Sequence, residues 1–172
     1  MIFIARDAWS AEQCARVHGA IGRAPLSPAE IYADDYRVDE RIRRTFEAEV
    51  DPPIIGEVEE AIAGMRPRIA RFFGIPLVGS EGPGFLRYPR GGFYAPHRDG
   101  LPGAGDQFPR RISVVLFLTA CEGGELRVWD DGDAPIDIAP VPCTLVAFPA
   151  HCLHEVLPVT AGVRDAVVDW FY

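Results

Sequence analysis

No run of 18 apolar residues occurs in the 172-residue chain, so no segment is suited to crossing a bilayer as a helix. The four cysteines (Cys14, Cys121, Cys143, Cys152) lack C-x-x-C spacing, which removes a zinc ribbon and a disulfide framework from consideration. The opening MIFIARDAW has no basic segment ahead of a long apolar run, so no secretory leader is expected, and a reducing cytoplasm is the expected home. Positive charge is also scarce. With 17 basic against 25 acidic residues the net charge is −8, and a phosphate backbone would meet an acidic molecule. The densest basic run, RVDERIRR (Arg37–Arg44), is broken by Asp39 and Glu40 and reads as a solvated helix face, with recognition of an anionic substrate as the alternative. Neither nucleic acid nor membrane is expected as a partner. What is present is a 48% apolar, 24% charged composition, that of one globular domain long enough to bury a core without disulfides or a structural metal.

The chain divides near residue 80. In the first part Ser10 is an N-cap candidate, with Gln13 completing a capping box, for a helix running to about Gly22. Asp51 and Pro52 open a longer helix, whose apolar residues Ile54, Val58, Ile62, Met65, Ile69 and Phe72 recur every three or four positions until Gly74. Pro67 is expected to bend its last turns. The stripe is core packing rather than a cofactor site. Between the helices, AEIYADDYRVD suggests irregular structure or a short strand. Residues 1–80 are thus expected to be a helical support.

From Gly84 the pattern becomes short β-rich runs: GFLRYP, GGFYAPH, RISVVLFLT, GELRVW, APIDIAP, CTLVAF, HEVLPV and VRDAVVDWFY. Turns replace crossover helices between them, so the expected fold is α+β. An antiparallel sandwich or barrel of about eight strands over 84–172 would carry the N-terminal helices on one sheet. DDGDAP (Asp130–Pro135) lacks the spacing and terminal Glu of a calcium loop and reads as a hairpin turn. Gly100–Pro109 is either a lid or a passive surface loop.

Three residues suggest a metal. His97 and Asp99 end one expected strand, and His154 begins another. Two imidazoles and one carboxylate leave three coordination positions open, which suits Fe(II) oxygen chemistry better than zinc. Taken singly, His97 and Asp99 read rather as loop residues and His154 as a satisfied core histidine; His18 is a surface or packing residue. The joint case rests on Arg164. Strand alternation puts it with Ala166, Val168 and Trp170 on one face and Asp165 and Asp169 on the other. An inward guanidinium without a carboxylate on its own face needs a partner, which a bound dicarboxylate would supply; an Arg reaching back to solvent or to a distant Asp is the alternative.

RYPRGGFYAPHRD, GGELRVW and HEVLPVTAGVR together resemble the Fe(II)/2-oxoglutarate-dependent dioxygenases of the prolyl 4-hydroxylase-like branch, over about residues 84–172. The resemblance implies a jelly roll in which His97, Asp99 and His154 hold iron and Arg164 clamps the distal carboxylate of 2-oxoglutarate. Tyr88 would add a hydroxyl hydrogen bond, and Val156 and Trp170 would line that pocket; His151 lacks the context of His154. Where many relatives read Tyr-Leu-Asn, this chain has Phe117–Thr119, leaving Tyr88 and Arg164 to hold the cosubstrate without a second phenol. The implied reaction couples oxidative decarboxylation of 2-oxoglutarate to hydroxylation by O₂, with ascorbate as a candidate reductant. Its substrate would be a prolyl peptide, a free amino acid or a natural-product intermediate. IYADDYRVDERIRR is expected at the substrate rim. A cupin-like metal-binding module without turnover is the competing reading, disfavoured by Arg164 and Tyr88. Nucleic-acid demethylation is disfavoured by the net charge.

Overall fold

A computed structural model describes the chain apart from residues 7, 33–34, 101–108 and 131–133. The first part contains β1 (Phe3–Ala5), α1 (Ala11–Arg23), β2 (Leu26–Pro28), β3 (Ile31–Tyr32), β4 (Tyr36–Arg37), β5 (Arg43–Arg44), β6 (Phe46–Ala48) and α2 (Pro52–Phe73). The second contains β7 (Gly84–Tyr88), β8 (Phe93–His97), β9 (Ile112–Phe117), β10 (Glu122–Gly123), β11 (Leu126–Trp129) and β12 (Ile136–Ile138). It ends with β13 (Leu145–Pro149), β14 (Leu153–Val156), β15 (Val159–Ala161) and β16 (Arg164–Phe171).

Both helices start and stop where the chemistry of their ends requires. The Ser10 hydroxyl accepts from the Gln13 amide at 3.1 Å while the Gln13 side chain accepts from the Ser10 amide at 3.0 Å, satisfying two otherwise orphaned donors of α1. Asp51 occupies the N-cap of α2 without a side-chain cap bond, and α2 runs through Pro67 to Phe73. Gly74, at φ 67°, stops it, its amide donating to the Ala70 carbonyl.

Two antiparallel sheets carry the rest. The larger has the order β1-β13-β9-β16-β7-β6-β2 and the smaller β12-β11-β14-β8-β5; β10-β15 and β3-β4 form separate two-stranded ladders. Strand alternation divides the larger sheet between two cores. Val114, Leu116, Leu145, Ala147 and Val167 meet Val17, Ile21, Val58, Ile62 and Ile69 of the helices. Val115, Phe117, Val146, Phe148 and Ala166 meet Leu126, Val128 and Ile138 of the smaller sheet. Full burial of each Val, Leu, Ile or Phe among them contributes about 1.5–3 kcal/mol, so the helices are held by packing rather than by helix propensity. The α+β jelly roll with helices on one sheet is therefore as expected.

Residues 1–80 are not merely helical, because β1, β2 and β6 extend the larger sheet and β5 extends the smaller. RVDERIRR is not a helix face. Asp39 closes a turn by accepting from the amides of Ile42 and Arg43, each at 2.9 Å, and Arg43–Arg44 then pair with Phe93–Tyr94 of β8. The helical charge pattern gave way to a sheet edge needing a partner strand. AEIYADDYRVD holds the short β3-β4 pair. The expected lid falls mostly on 101–108 and the DDGDAP turn on 131–133, outside the described residues. Among the described residues no helix is long and apolar enough to cross a membrane, and all four cysteines are free thiols.

Candidate metal and dicarboxylate site

His97 and His154 sit opposite each other in the β8-β14 register, which brings their ring centres to 4.2 Å. Each Nδ1 lies against a backbone carbonyl two residues earlier, Ala95 at 2.8 Å and Cys152 at 3.0 Å. A carbonyl only accepts, so each Nδ1 carries a proton, and the neutral form of each ring presents its lone pair at Nε2. Asp99 follows β8 and is tied to the turn before β14 by its amide, which donates to the Ala150 carbonyl at 3.0 Å. Its Oδ1 is 3.6 Å from His97 Nε2 and its Oδ2 is 3.4 Å from His154 Nε2. One ligand atom from each of the three residues lies within 4.8 Å of the other two.

Protonation favours a cation. Burial, reinforced by the neighbouring His154, pushes His97 down to about 4, so its imidazole is neutral near pH 7. Burial alone would raise Asp99, but the Ser113 hydroxyl and the attraction of His154 and His97, which grows as the rings take up protons in acid, outweigh it and hold the carboxyl well below its ordinary range. Neutral imidazole and ionised carboxylate are the forms that bind metal. A first-row divalent ion with bonds of about 2.0–2.2 Å holds adjacent donors about 3 Å apart, so a small contraction of this cluster would fit one. Two nitrogens and one oxygen are the donor set of open-coordinate Fe(II) sites.

Arg164 opens β16 opposite Tyr88 of β7 and is 1% exposed. Its guanidinium carbon lies 4.8 Å from the Tyr88 ring centre and 5.1 Å from that of Phe117. Among the described residues it has no hydrogen-bond or ion-pair partner, and its Nε is buried without one. Burial lowers its pKa, yet an arginine stays charged. The adjacent Asp165 faces the helices instead. It is fully buried, accepts from Arg87 at 2.9 and 2.7 Å, and lies 2.6 Å from His18 Nδ1. His18, half-exposed on α1, is thus a surface residue whose inner side also packs against the sheet as a polar partner of Asp165. A cation desolvated at this cost and left unpaired is what a dicarboxylate pocket requires.

His97, Asp99, His154, Arg164, Tyr88, Val156 and Trp170 all line one cavity of about 1200 Å³. Trp170 does so elsewhere than expected. It is six strand residues from Arg164, about 20 Å along β16, and its ring lies under the Arg110 guanidinium at 3.8 Å. Arg110 is itself paired to Glu81 by two contacts of 2.6 Å. Trp170 therefore belongs to the far wall and not to the pocket around Arg164. Phe117, in the place of a tyrosine, is fully buried and offers Arg164 a ring face instead of a hydroxyl.

Sequence reasoning missed four lining residues. Ser113 donates to Asp99 Oδ2 at 2.6 Å. Tyr94 stacks on His97 with ring centres 3.5 Å apart. Arg43 lies 4.8 Å from the centre of the Tyr94 ring, and Arg110 caps Trp170. Simple alternation along FYAPH would put Tyr94 on the opposite face from His97, and only a register shift against β14 brings the two rings together, whereas nothing in RVDERIRR distinguished Arg43.

The fold and site together define a double-stranded β-helix with a two-histidine, one-carboxylate cluster and a buried cation in one cavity. Residues 83–172 match the model of the 2OG-Fe(II) oxygenase superfamily. A PKHD-type hydroxylase of Paraburkholderia phymatum is 31% identical over 169 residues, covering 84% of this chain and 74% of that protein. One from Stenotrophomonas maltophilia is 40% identical over 95 residues, covering 51% of this chain and only 41% of that protein. The chain belongs to the 2OG-Fe(II) oxygenase superfamily, in its PKHD-type, prolyl 4-hydroxylase-like branch. Among solved structures, a Pseudomonas putida prolyl-4-hydroxylase superposes with a TM-score of 0.80 at 25% identity, over 99% of this chain and 91% of that one. A Trichoplax adhaerens prolyl hydroxylase, solved with a hypoxia inducible factor peptide fragment, shares the fold at a TM-score of 0.82 and 20% identity, over 99% and 83%.

Proposed function

We propose that this chain is an Fe(II)- and 2-oxoglutarate-dependent dioxygenase. It would hydroxylate a C–H bond of a prolyl or other amino-acid residue, or of an amino-acid-derived small molecule. The observation that carries this reading is Arg164, a buried guanidinium without a partner among the described residues, facing the same cavity as His97, Asp99 and His154. In this reading residues 84–172 carry the chemistry, residues 1–80 support it, and the whole acts as one domain.

His97 and His154 would hold the iron through Nε2, and Asp99 through a carboxylate oxygen. Arg164 would take the distal carboxylate of 2-oxoglutarate in a bidentate grip, Tyr88 would add its hydroxyl, and Val156 would form an apolar wall. When bound, iron and 2-oxoglutarate supply the activation of O₂ that leaves CO₂, succinate and a hydroxylated substrate. The protein orients and insulates. Ser113 occupies Asp99 Oδ2 and fixes the carboxylate's rotation, while Tyr94 and the edge of Phe148 hold the two imidazole planes and exclude water beside them.

The cavity exceeds the usual range of a small-ligand pocket, about 300–1,000 Å³, so a cosubstrate and part of a larger substrate can share it. That size and the likeness to the Pseudomonas putida prolyl-4-hydroxylase support a peptidyl substrate. Anaerobic addition of Fe(II) and 2-oxoglutarate is expected to produce a weak visible charge-transfer band, and admission of air to yield succinate. Fully metallated protein giving neither would overturn the reading and leave a cupin-like metal-binding module. A screen of prolyl peptides against free amino acids, read as a gain of one oxygen in mass, identifies the substrate.

A further inference from the structure

Among the described residues the guanidinium of Arg164 has ring faces beside it but no hydrogen-bond or ion-pair partner to fix its aim, so its direction is set largely at the root of the side chain. On one side the root is held by the β7 ladder, with Arg164 opposite Tyr88. On the other, the β9 ladder runs only from Phe171↔Ile112 to Ala166↔Phe117 and stops two residues short of Arg164. Beyond that the Leu118 amide still donates to the Asp165 carbonyl at 3.0 Å, and a side-chain hydroxyl takes over at the two peptide groups that flank Arg164. Thr119 Oγ1 donates to the Val163 carbonyl at 2.8 Å and accepts from the Asp165 amide at 2.9 Å, spending both its capacities on the peptide groups flanking Arg164.

The stem above that root has little room to move. Gly124, at φ 67°, passes so close that a Cβ there would stand 3.1 Å from Arg164 Cδ and 3.0 Å from Cys121 Sγ. The rings of Tyr88 and Phe117 lie beside the guanidinium end. A shift of the backbone at 163–165 would thus be carried along a confined stem to the guanidinium.

We propose that Thr119 is a positioning residue for the dicarboxylate clamp: its hydroxyl, bonded on both sides of Arg164, sets where the guanidinium stands. The inference rests on the functional reading above. Thr119 touches neither metal nor cosubstrate in this role, so its removal is felt in 2-oxoglutarate binding and not in metal binding.

The test uses the full chain loaded anaerobically with Mn(II), which supports binding without turnover, and titrates it calorimetrically with 2-oxoglutarate. Thr119→Val, which keeps the shape and removes the hydroxyl, is expected to weaken 2-oxoglutarate binding on the order of tenfold or more. Mn(II) affinity is expected to stay at the wild-type value, and Thr119→Ser to restore cosubstrate binding. If Thr119→Val does not fold, Thr119→Cys, with a thiol too weak to bridge both groups, takes its place under the same two readings. Equal 2-oxoglutarate affinity in wild type and variant overturns the role of Thr119 alone, as does a parallel loss of Mn(II) affinity. Absence of 2-oxoglutarate binding by the wild type overturns the functional reading as well.

Discussion

Replacing Arg164 by methionine should move ligand binding and stability in opposite directions, a result that ordinary packing residues do not give. Methionine keeps most of the stem between Gly124 and the rings of Tyr88 and Phe117 but removes the charge. In the presence of metal, 2-oxoglutarate would then bury its distal carboxylate without a counter-ion. Removing one partner of a buried charge pair costs about 3–5 kcal/mol, and at about 1.4 kcal/mol per decade this weakens binding roughly a hundred- to four-thousand-fold. Without 2-oxoglutarate the sign reverses. The wild type buries a cation that is 1% exposed and unpaired among the described residues, offset only by ring contacts worth about 0.5–2 kcal/mol each, so its removal should stabilise the ligand-free protein by about 1 kcal/mol or more. For a chain of this size that raises the melting temperature by about 2–4 °C. Calorimetric titration gives the first quantity and thermal melts with and without 2-oxoglutarate the second; saturating ligand should raise the wild-type melting temperature and leave the variant's unchanged. An affinity within about threefold of wild type, or a ligand-free variant that melts several degrees lower, would refute the assignment of Arg164 as an unpaired clamp.

His154→Ala should abolish metal retention, whereas Ser113→Ala should keep the ligands and weaken Co(II) binding about 10–100-fold, with Ser113→Thr close to wild type; unchanged affinity in Ser113→Ala would remove that hydroxyl from the site. The metal-free protein should lose stability on acidification through His97. Its folded pKa of about 4 lies below the unfolded 6.5, so the unfolded chain takes up the proton first. That contribution is complete above pH 6.5 and is lost progressively down to about pH 4, by up to about 3 kcal/mol. Urea melts of wild type and His97→Leu at pH 7.5 and 4.5 measure it, and an equal pH slope in both would contradict it. On the opposite face of β16, Arg87→Ala takes from the fully buried Asp165 its bidentate cation and leaves it His18 alone, and should cost up to about 3–5 kcal/mol. His18→Ala, at a half-exposed side chain, should cost about 1 kcal/mol or less; comparable losses in urea denaturation would contradict that ranking.

Local chemistry was legible without coordinates. Ser10 with Gln13, the apolar stripe from Ile54 to Ile69 and Gly74 announced both helices, because caps and periodicity act within a turn or two of chain. Alternation in RDAVVDWF separated Arg164 from Asp165, because neighbouring strand residues face opposite sides whatever lies there. The motifs around His97, Asp99, His154 and Arg164 marked the residues that now share a cavity, while RVDERIRR misled because a charge pattern does not reveal that a neighbouring strand offers it a ladder.

The two helices, the strands from Gly84 onward, the side-chain parity of β16 and the residue types of the site were thus determined by the amino-acid order itself. Only the tertiary structure decided that His97 meets His154 in register, that Ser113 of one sheet holds Asp99 beside the other, and that Trp170 stands on the far wall from Arg164. Each of those contacts depends on strand registers and sheet packing set by the whole core, and a short window of residues carries no information about what another strand will bring against it.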